Sequence, residues 1–269
     1  MRLATVVTPH GTRHAAAATG SAGWRALPAA NLSDWFAFGA AAKLGAPLAG
    51  AVPTLPTPNP TKIVCCGLNF SDHITEMGRE LPEYPTLFAK FADSLIGPNE
   101  DIVLPRGLRV DWEAELAVVV GAELRRATLG QARDGIAGYT IANDISVRDW
   151  QNRTLQWFQG KAWDASTPVG PVIVTPDELD PVAGVDVICR VNGVERQRGN
   201  TRTLVFDSAA LVAYASTFTT LRPGDLILTG TPGGVGQGMR PQLFLEDGDE
   251  VETEIPGIGC LHNVIRFTD

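Results

Sequence analysis

Five prolines, Pro47, Pro53, Pro56, Pro58 and Pro60, crowd the stretch between residues 46 and 61. Each fixes its own φ and offers no amide proton, so the stretch can be neither a continuous helix nor a central strand. It reads as an extended linker or crossing segment. It divides the chain into a small N-terminal unit, residues 1–58, and a larger unit, residues 59–269. In the first unit, Leu3–Thr8 has the pattern of a strand, and Leu32–Leu44 that of a helix with Asn31 or Ser33 as N-cap.

Beyond the prolines the pattern is mainly β. Ile63–Gly67, Leu116–Val120, Gly138–Asn143, Val169–Val174, Val185–Val191, Asp225–Thr229 and Glu250–Ile255 are short runs rich in β-branched residues and bounded by Gly, Pro or Asp. Asn192-Gly193 supplies a two-residue hairpin turn into Val194–Arg198. Helical candidates are fewer, Leu129–Arg133 and Ser208–Thr217. The sum predicts a strand-rich α+β fold with a small N-terminal α/β unit, not an alternating βαβ series.

The 269 residues carry a net charge of −8. That leaves no basic footprint for a phosphate backbone, so neither nucleic acid nor an anionic membrane is expected as a partner. The Ala15–Ala18 run is too short to span a bilayer. Cys65, Cys66, Cys189 and Cys260 form no CxxC and no secretory signal precedes them, so a reducing cytoplasm is expected.

Chemistry concentrates in carboxylates. Glu113 and Glu115 stand two apart at the entry of an apolar run, so on a strand both project to one face. Taken alone, such a pair reads as a solvated strand face. Asp144 changes this, because it ends a second apolar stretch, Gly138–Ala142. Three carboxylates without His or Cys make a hard, oxygen-only donor set that suits Mg²⁺ or Mn²⁺, or Ca²⁺, better than zinc.

Other motifs read two ways. Lys161, after Gly160, is either solvated surface or, beside a bound metal, a counter to a developing oxyanion. His73 and Glu76 are three apart, either an incidental pair on a helical turn or a base with its orienting acid. The Gly-rich stretch from Thr229 to Gly236 lacks the GlyLys[Ser/Thr] of a P-loop; it is either a tight turn or a cradle in which backbone amides and the Thr231 hydroxyl receive a carboxylate.

Together these pieces resemble the fumarylacetoacetate hydrolase superfamily from about Lys62 onward. The resemblance is carried by Gly67-Leu-Asn-Phe-Ser-Asp-His73 with Glu76, Leu87-Phe-Ala-Lys90, Asp111-Trp-Glu-Ala-Glu115, Asn143-Asp-Ile-Ser-Val-Arg-Asp149, Gly160-Lys161 and Thr229-Gly-Thr-Pro-Gly233. It implies a mixed β-sandwich roll catalytic domain, a homodimer, and Mg²⁺ or Mn²⁺ on Glu113, Glu115 and Asp144. It further implies His73 and Glu76 as catalytic pair, Lys161 as oxyanion stabiliser, Arg148 and Gln151 as substrate-facing groups, and Thr231 at the substrate carboxylate. Many small members have Arg-Asn-Tyr where this chain has Leu68-Asn69-Phe70.

The resemblance predicts metal-dependent hydrolysis of a C–C bond in a 2,4-diketo acid, an acylpyruvate of fumarylpyruvate type, with release of pyruvate in aromatic catabolism. The same site could instead decarboxylate oxaloacetate or isomerise a hydroxy-heptadienedioate. A third possibility, from another class, is a non-catalytic binder of small anions.

Overall fold

The computed structural model describes residues 1–18, 23–38, 43–71, 74 and 80–269. Its largest element is an 11-stranded sheet. From one edge the strands run Arg25–Ala26, Arg13–Ala18, Arg2–Val7, Thr167–Val174, Ile136–Asn143, Ala114–Val120, Leu226–Leu228, Ile63–Gly67 and Thr86–Lys90, with Val52–Pro53 and Leu95–Ile96 paired off this path. A five-stranded sheet of Val194–Asn200, Asp186–Val191, Glu250–Ile255, Gly259–Thr268 and Ile102–Pro105 packs against it. The strand-rich α+β expectation holds.

Ala114–Val120 is the central strand, and its continuous burial follows from an apolar run with layers on both sides. Leu116 and Val118 turn into the core between the sheets, with Trp112, Val187, Val251 and Ile265. Ala117 and Val119 turn the other way, onto Ile63, Cys65, Ala142 and Ile173. Glu115 shares this second face by the two-residue period of a strand.

The proline-rich stretch runs along the first strand: Val52 and Pro53 pair with Val7 and Val6, and the Thr5 hydroxyl donates to the Pro56 carbonyl at 2.6 Å. The N-terminal strand itself joins the large sheet, with Arg2 opposite Val174 and Leu3 opposite Ile173.

Ile63–Gly67 and Glu250–Ile255 have the expected bounds. The helix at Leu32 is capped by Asn31, whose Oδ1 accepts the Asp34 amide at 3.0 Å, and it runs to Phe38. Residues 43–44 of the expected span are not helical, and residues 39–42 lie outside those described. Several strands, Thr86–Lys90 and Ile102–Pro105 among them, are not marked by sequence pattern, and two of these, Arg13–Ala18 and Gly259–Thr268, escape it for opposite reasons. Arg13–Ala18 is alanine-rich and has weak β preference, yet the small side chains of Ala15 to Ala18 let that part of it pack buried. Gly259–Thr268 mixes His262 and Asn263 into its alternation, which masks the inward Leu261 and Ile265.

Candidate active site and metal centre

Strand register assembles the carboxylates. Ala114 lies opposite Asn143, and the next backbone bond, from the Asp144 amide to the Glu113 carbonyl at 2.8 Å, sets Glu113 opposite Asp144. Directly opposed residues of an antiparallel pair share a face, and Glu115 shares it two residues on. Glu113, Glu115 and Asp144 accordingly offer ligand oxygens within 4.8 Å of one another, all buried.

Two buried lysines face this triad. Lys161, 2% exposed at the end of the single turn Phe158–Lys161, donates to Glu113 Oε2 at 2.6 Å and Asp144 Oδ2 at 2.7 Å. Lys90, ending strand Thr86–Lys90, donates to Asp144 Oδ1 at 2.6 Å. Burial pulls the Lys161 ammonium down, but Asp144 and Glu113 outweigh it and hold it above its ordinary value. Burial likewise opposes ionisation of Asp144, yet Lys161 and Lys90 prevail and keep it below the usual carboxylate range.

Glu115 differs. Burial, then Asp144 and Glu113, push its carboxyl well above the ordinary value, against the pull of Lys161 and the Gly230 amide. That amide donates to Glu115 Oε2 at 2.6 Å. Asp111, Glu113 and Asp144 each pair with Arg148 or a lysine, and among the described residues Glu115 has no such ion pair. A buried, oxygen-only triad short of one positive charge has the chemistry of a hard divalent-cation site.

Arg148 opens the single turn Arg148–Gln151. Its Nε donates to Asp111 Oδ2 at 2.7 Å, and its Nη1 meets Glu113 Oε1 at 2.6 Å and Gln151 Oε1 at 2.8 Å. Burial lowers the guanidinium's proton affinity, while Glu113 and Asp111 raise it further, so it stays charged.

Above the triad opens a cavity of about 380 Å³, lined by Arg148, Gln151, Lys161 and Thr231 among others. Phe88 and Trp157, edge to face at 5.6 Å, form an aromatic wall, and Lys161 Nζ lies 5.0 Å from the Phe88 ring centroid. Gly67 is required here, since a Cβ would meet the Trp157 ring at 2.4 Å. Leu68 follows with φ of 55°, a left-handed conformation costly for a branched side chain and of the kind found at ligand sites. Cys66 also lines the cavity, but burial pushes its thiol up to about 12, which keeps it neutral.

The structure thus brings together Glu113, Glu115, Asp144, Lys161, Arg148, Gln151 and Thr231. The Thr231 hydroxyl is partly committed, donating to the Ala114 carbonyl at 2.9 Å and accepting from Gln197 Nε2 at 2.8 Å. Amides of the Gly-rich stretch do receive carboxylates, but the protein's own: Gly230 binds Glu115 and Gly236 binds Asp111. His73 and Glu76 lie outside the described residues.

A fumarylacetoacetate (FAA) hydrolase C-terminal profile matches residues 62–266. The chain belongs to that family. Within it, the chain is 44% identical over 213 residues to human mitochondrial oxaloacetate tautomerase FAHD2A, spanning 78% of this chain and 68% of the relative. Among solved structures of the fumarylacetoacetate hydrolase superfamily, that of the enzyme from Exiguobacterium antarcticum superposes with a TM-score of 0.89 at 32% identity over the whole of both chains. The 5-carboxymethyl-2-hydroxymuconate delta-isomerase from Mycobacterium smegmatis gives 0.85 at 34% identity, again over both whole chains. No described helix is long and apolar enough to cross a membrane.

Sequence reading assigned no role to several residues that build this site. Lys90 and Asp111 stood in family motifs without a function. Asp111 continues the alternation with Glu113 and Glu115, the one signal that could have placed it. Gln197 gave no signal: it comes from the other sheet, accepting the Ala114 amide at 3.0 Å and donating to Thr231 and the Pro232 carbonyl.

Proposed function

We propose that this chain is a divalent-metal-dependent enzyme that interconverts tautomers of a 2-oxo dicarboxylic acid of the oxaloacetate type. The observation that carries the reading is Lys161, a buried ammonium that touches two of the three triad carboxylates and also lines the cavity. Glu113, Glu115 and Asp144 are the proposed ligands of Mg²⁺ or Mn²⁺, which when bound would act as a Lewis acid on the 2-oxo group and its carboxylate. Lys161 then stabilises the negative charge that develops on the C2 oxygen as a C3 proton leaves, at a site whose aromatic wall limits water. Arg148 and Gln151 orient the acid from the cavity rim, and Thr231 fixes the adjoining backbone. His73, oriented by Glu76, carries the C3 proton; this role rests on their spacing and the family resemblance.

The relatives support this reading, since one is named an oxaloacetate tautomerase and another a muconate isomerase, both proton-shifting activities. A second reading, hydrolysis of an acylpyruvate to pyruvate, is favoured by the His73-x-x-Glu76 spacing, because a base with an orienting acid suits activation of water. The two readings separate in one assay with Mg²⁺ or Mn²⁺. Tautomerisation predicts accelerated loss of enol absorbance from oxaloacetate with neither pyruvate nor carbon dioxide released. Pyruvate from an acylpyruvate would replace it with the hydrolytic reading, and carbon dioxide from oxaloacetate with decarboxylation. Binding of all these acids without turnover would replace it with a non-catalytic anion binder. We propose a cytoplasmic homodimer, the dimer on the family resemblance and the compartment on four cysteines that form no disulfide; sedimentation as a stable active monomer would refute the dimer.

A further inference from the structure

Among the described residues, two polar atoms of the cavity are left without a hydrogen-bond partner. Arg148 is 6% exposed and has Nε and Nη1 fully engaged, yet its Nη2 is buried with no hydrogen-bond partner. Gln237 Oε1 is likewise buried without a partner. Both residues line the same cavity. Buried polar atoms are normally satisfied, so a pair left open beside one cavity points to a ligand that completes them.

The pair is held in fixed relation by one carboxylate. Asp111 Oδ2 accepts both Arg148 Nε at 2.7 Å and the Gln237 backbone amide at 3.0 Å. Asp111 Oδ1 accepts the Gly236 amide at 2.7 Å and the Trp112 amide at 2.9 Å. Gly236 admits no side chain there, since a Cβ would lie 2.9 Å from Asp111 Oδ1 and 1.9 Å from the Leu243 carbonyl. Arg148 and the Gln237 backbone therefore cannot drift apart.

We propose that Arg148 Nη2 and the Gln237 carboxamide form the receptor for the second carboxylate of a dicarboxylic substrate. Gln237 is then the residue that selects dicarboxylic over monocarboxylic 2-oxo acids. A half-turn of the carboxamide exchanges its oxygen for its NH₂, so Gln237 donates to one carboxylate oxygen while Arg148 donates to the other. The first carboxylate is kept for the triad and Lys161, because Arg148 turns only Nε and Nη1 to the protein's own acids. The inference rests on the 2-oxo-acid reading given above.

Its test is the preference between oxaloacetate and 2-oxobutyrate, read as exchange of C3 protons with solvent deuterium by NMR in saturating Mg²⁺. Gln237→Leu keeps the side-chain size, and among the described residues the hydrogen bonds of Gln237 use only its backbone. It is expected to lower the oxaloacetate-to-2-oxobutyrate ratio of kcat/KM about 10- to 100-fold, mainly through KM for oxaloacetate. Gln237→Glu, which sets a like charge against the carboxylate, is expected to lower the ratio further. An unchanged ratio in both variants, or equal losses for both acids, would overturn the inference. Should the wild type exchange neither acid, the functional reading fails by itself. Calorimetric titration of oxaloacetate and pyruvate in Mg²⁺ then decides the inference, which stands only if Gln237→Leu weakens oxaloacetate selectively.

Discussion

Two clusters of ion pairs in this molecule have nearly the same distances and opposite meanings. On the five-stranded sheet, Arg198 meets Asp186 at 2.9 Å and Glu195 at 2.6 Å, all three side chains at least 40% exposed. In the site, Lys161 meets Glu113 at 2.6 Å and Asp144 at 2.7 Å, with none more than 10% exposed. Water solvates the first set whether or not it pairs, so little depends on it. The second has given up that solvation, and each charge depends on the others being present. Distance is shared; desolvation separates a surface decoration from a reaction centre.

The largest expected break in that contrast is Glu113→Ala. It removes a proposed metal ligand and strips Arg148 and Lys161 of a shared partner; activity should fall about 10³-fold or more in a steady-state assay, with loss of the Mg²⁺-induced thermal shift. Retained turnover after stripping and chelation of metal would refute the metal centre. Next, Lys161→Met leaves Glu113 and Asp144 facing each other. A stability loss of about 3 kcal/mol in chemical denaturation and a kcat decrease of about 10²-fold are expected.

Asp111→Asn sharpens the comparison within the buried set. An amide cannot accept from all four donors that surround this carboxylate, so a loss of about 2 kcal/mol is expected, with KM rising more than kcat falls as Arg148 loses its alignment. An unchanged KM would refute that positioning role.

Glu115 gives a pH-dependent test. Its raised carboxyl means that the protonated form stabilises the metal-free fold. That contribution is complete below the ordinary value of 4.5 and is lost as pH rises through the elevated folded value. The Mg²⁺-induced rise in Tm should therefore be larger at the alkaline end of the working range than at the acidic end. Glu115→Gln should raise the metal-free Tm there and abolish the metal shift. The smallest effect belongs to the surface cluster: Arg198→Ala should leave Tm and activity unchanged, and a marked loss of either would undo the contrast.

The proposed boundary near residue 58 has its own test. The N-terminal segment contributes Leu3, Ala15 and Ala17 from its strands, Leu27 from the loop after them and Leu32 from its helix to the cluster that holds Ile63, Cys65 and Ile173. Deleting residues 1–58 exposes that face, and a chain of 59–269 that folds and melts cooperatively would establish the two-unit division.

Much of this was legible along the chain wherever chemistry follows a short period. Strands such as Ile63–Gly67, the Asn192-Gly193 turn, and the sharing of one face by Glu113 and Glu115 depend only on side-chain alternation and turn preference. The oxygen-only donor set, and hence the hard-cation reading, was likewise a matter of residue type. Partnerships between distant residues were not. That Lys90 would reach Asp144, that Asp111 would bridge Arg148 to the Gln237 amide, and that Gln197 would cross from the other sheet to Ala114 all depend on register and sheet packing. The sequence by itself determined which charges the site owns. Only the tertiary structure decided which are desolvated together, and that sets their energies, because a charge out of water is worth what its neighbours make of it.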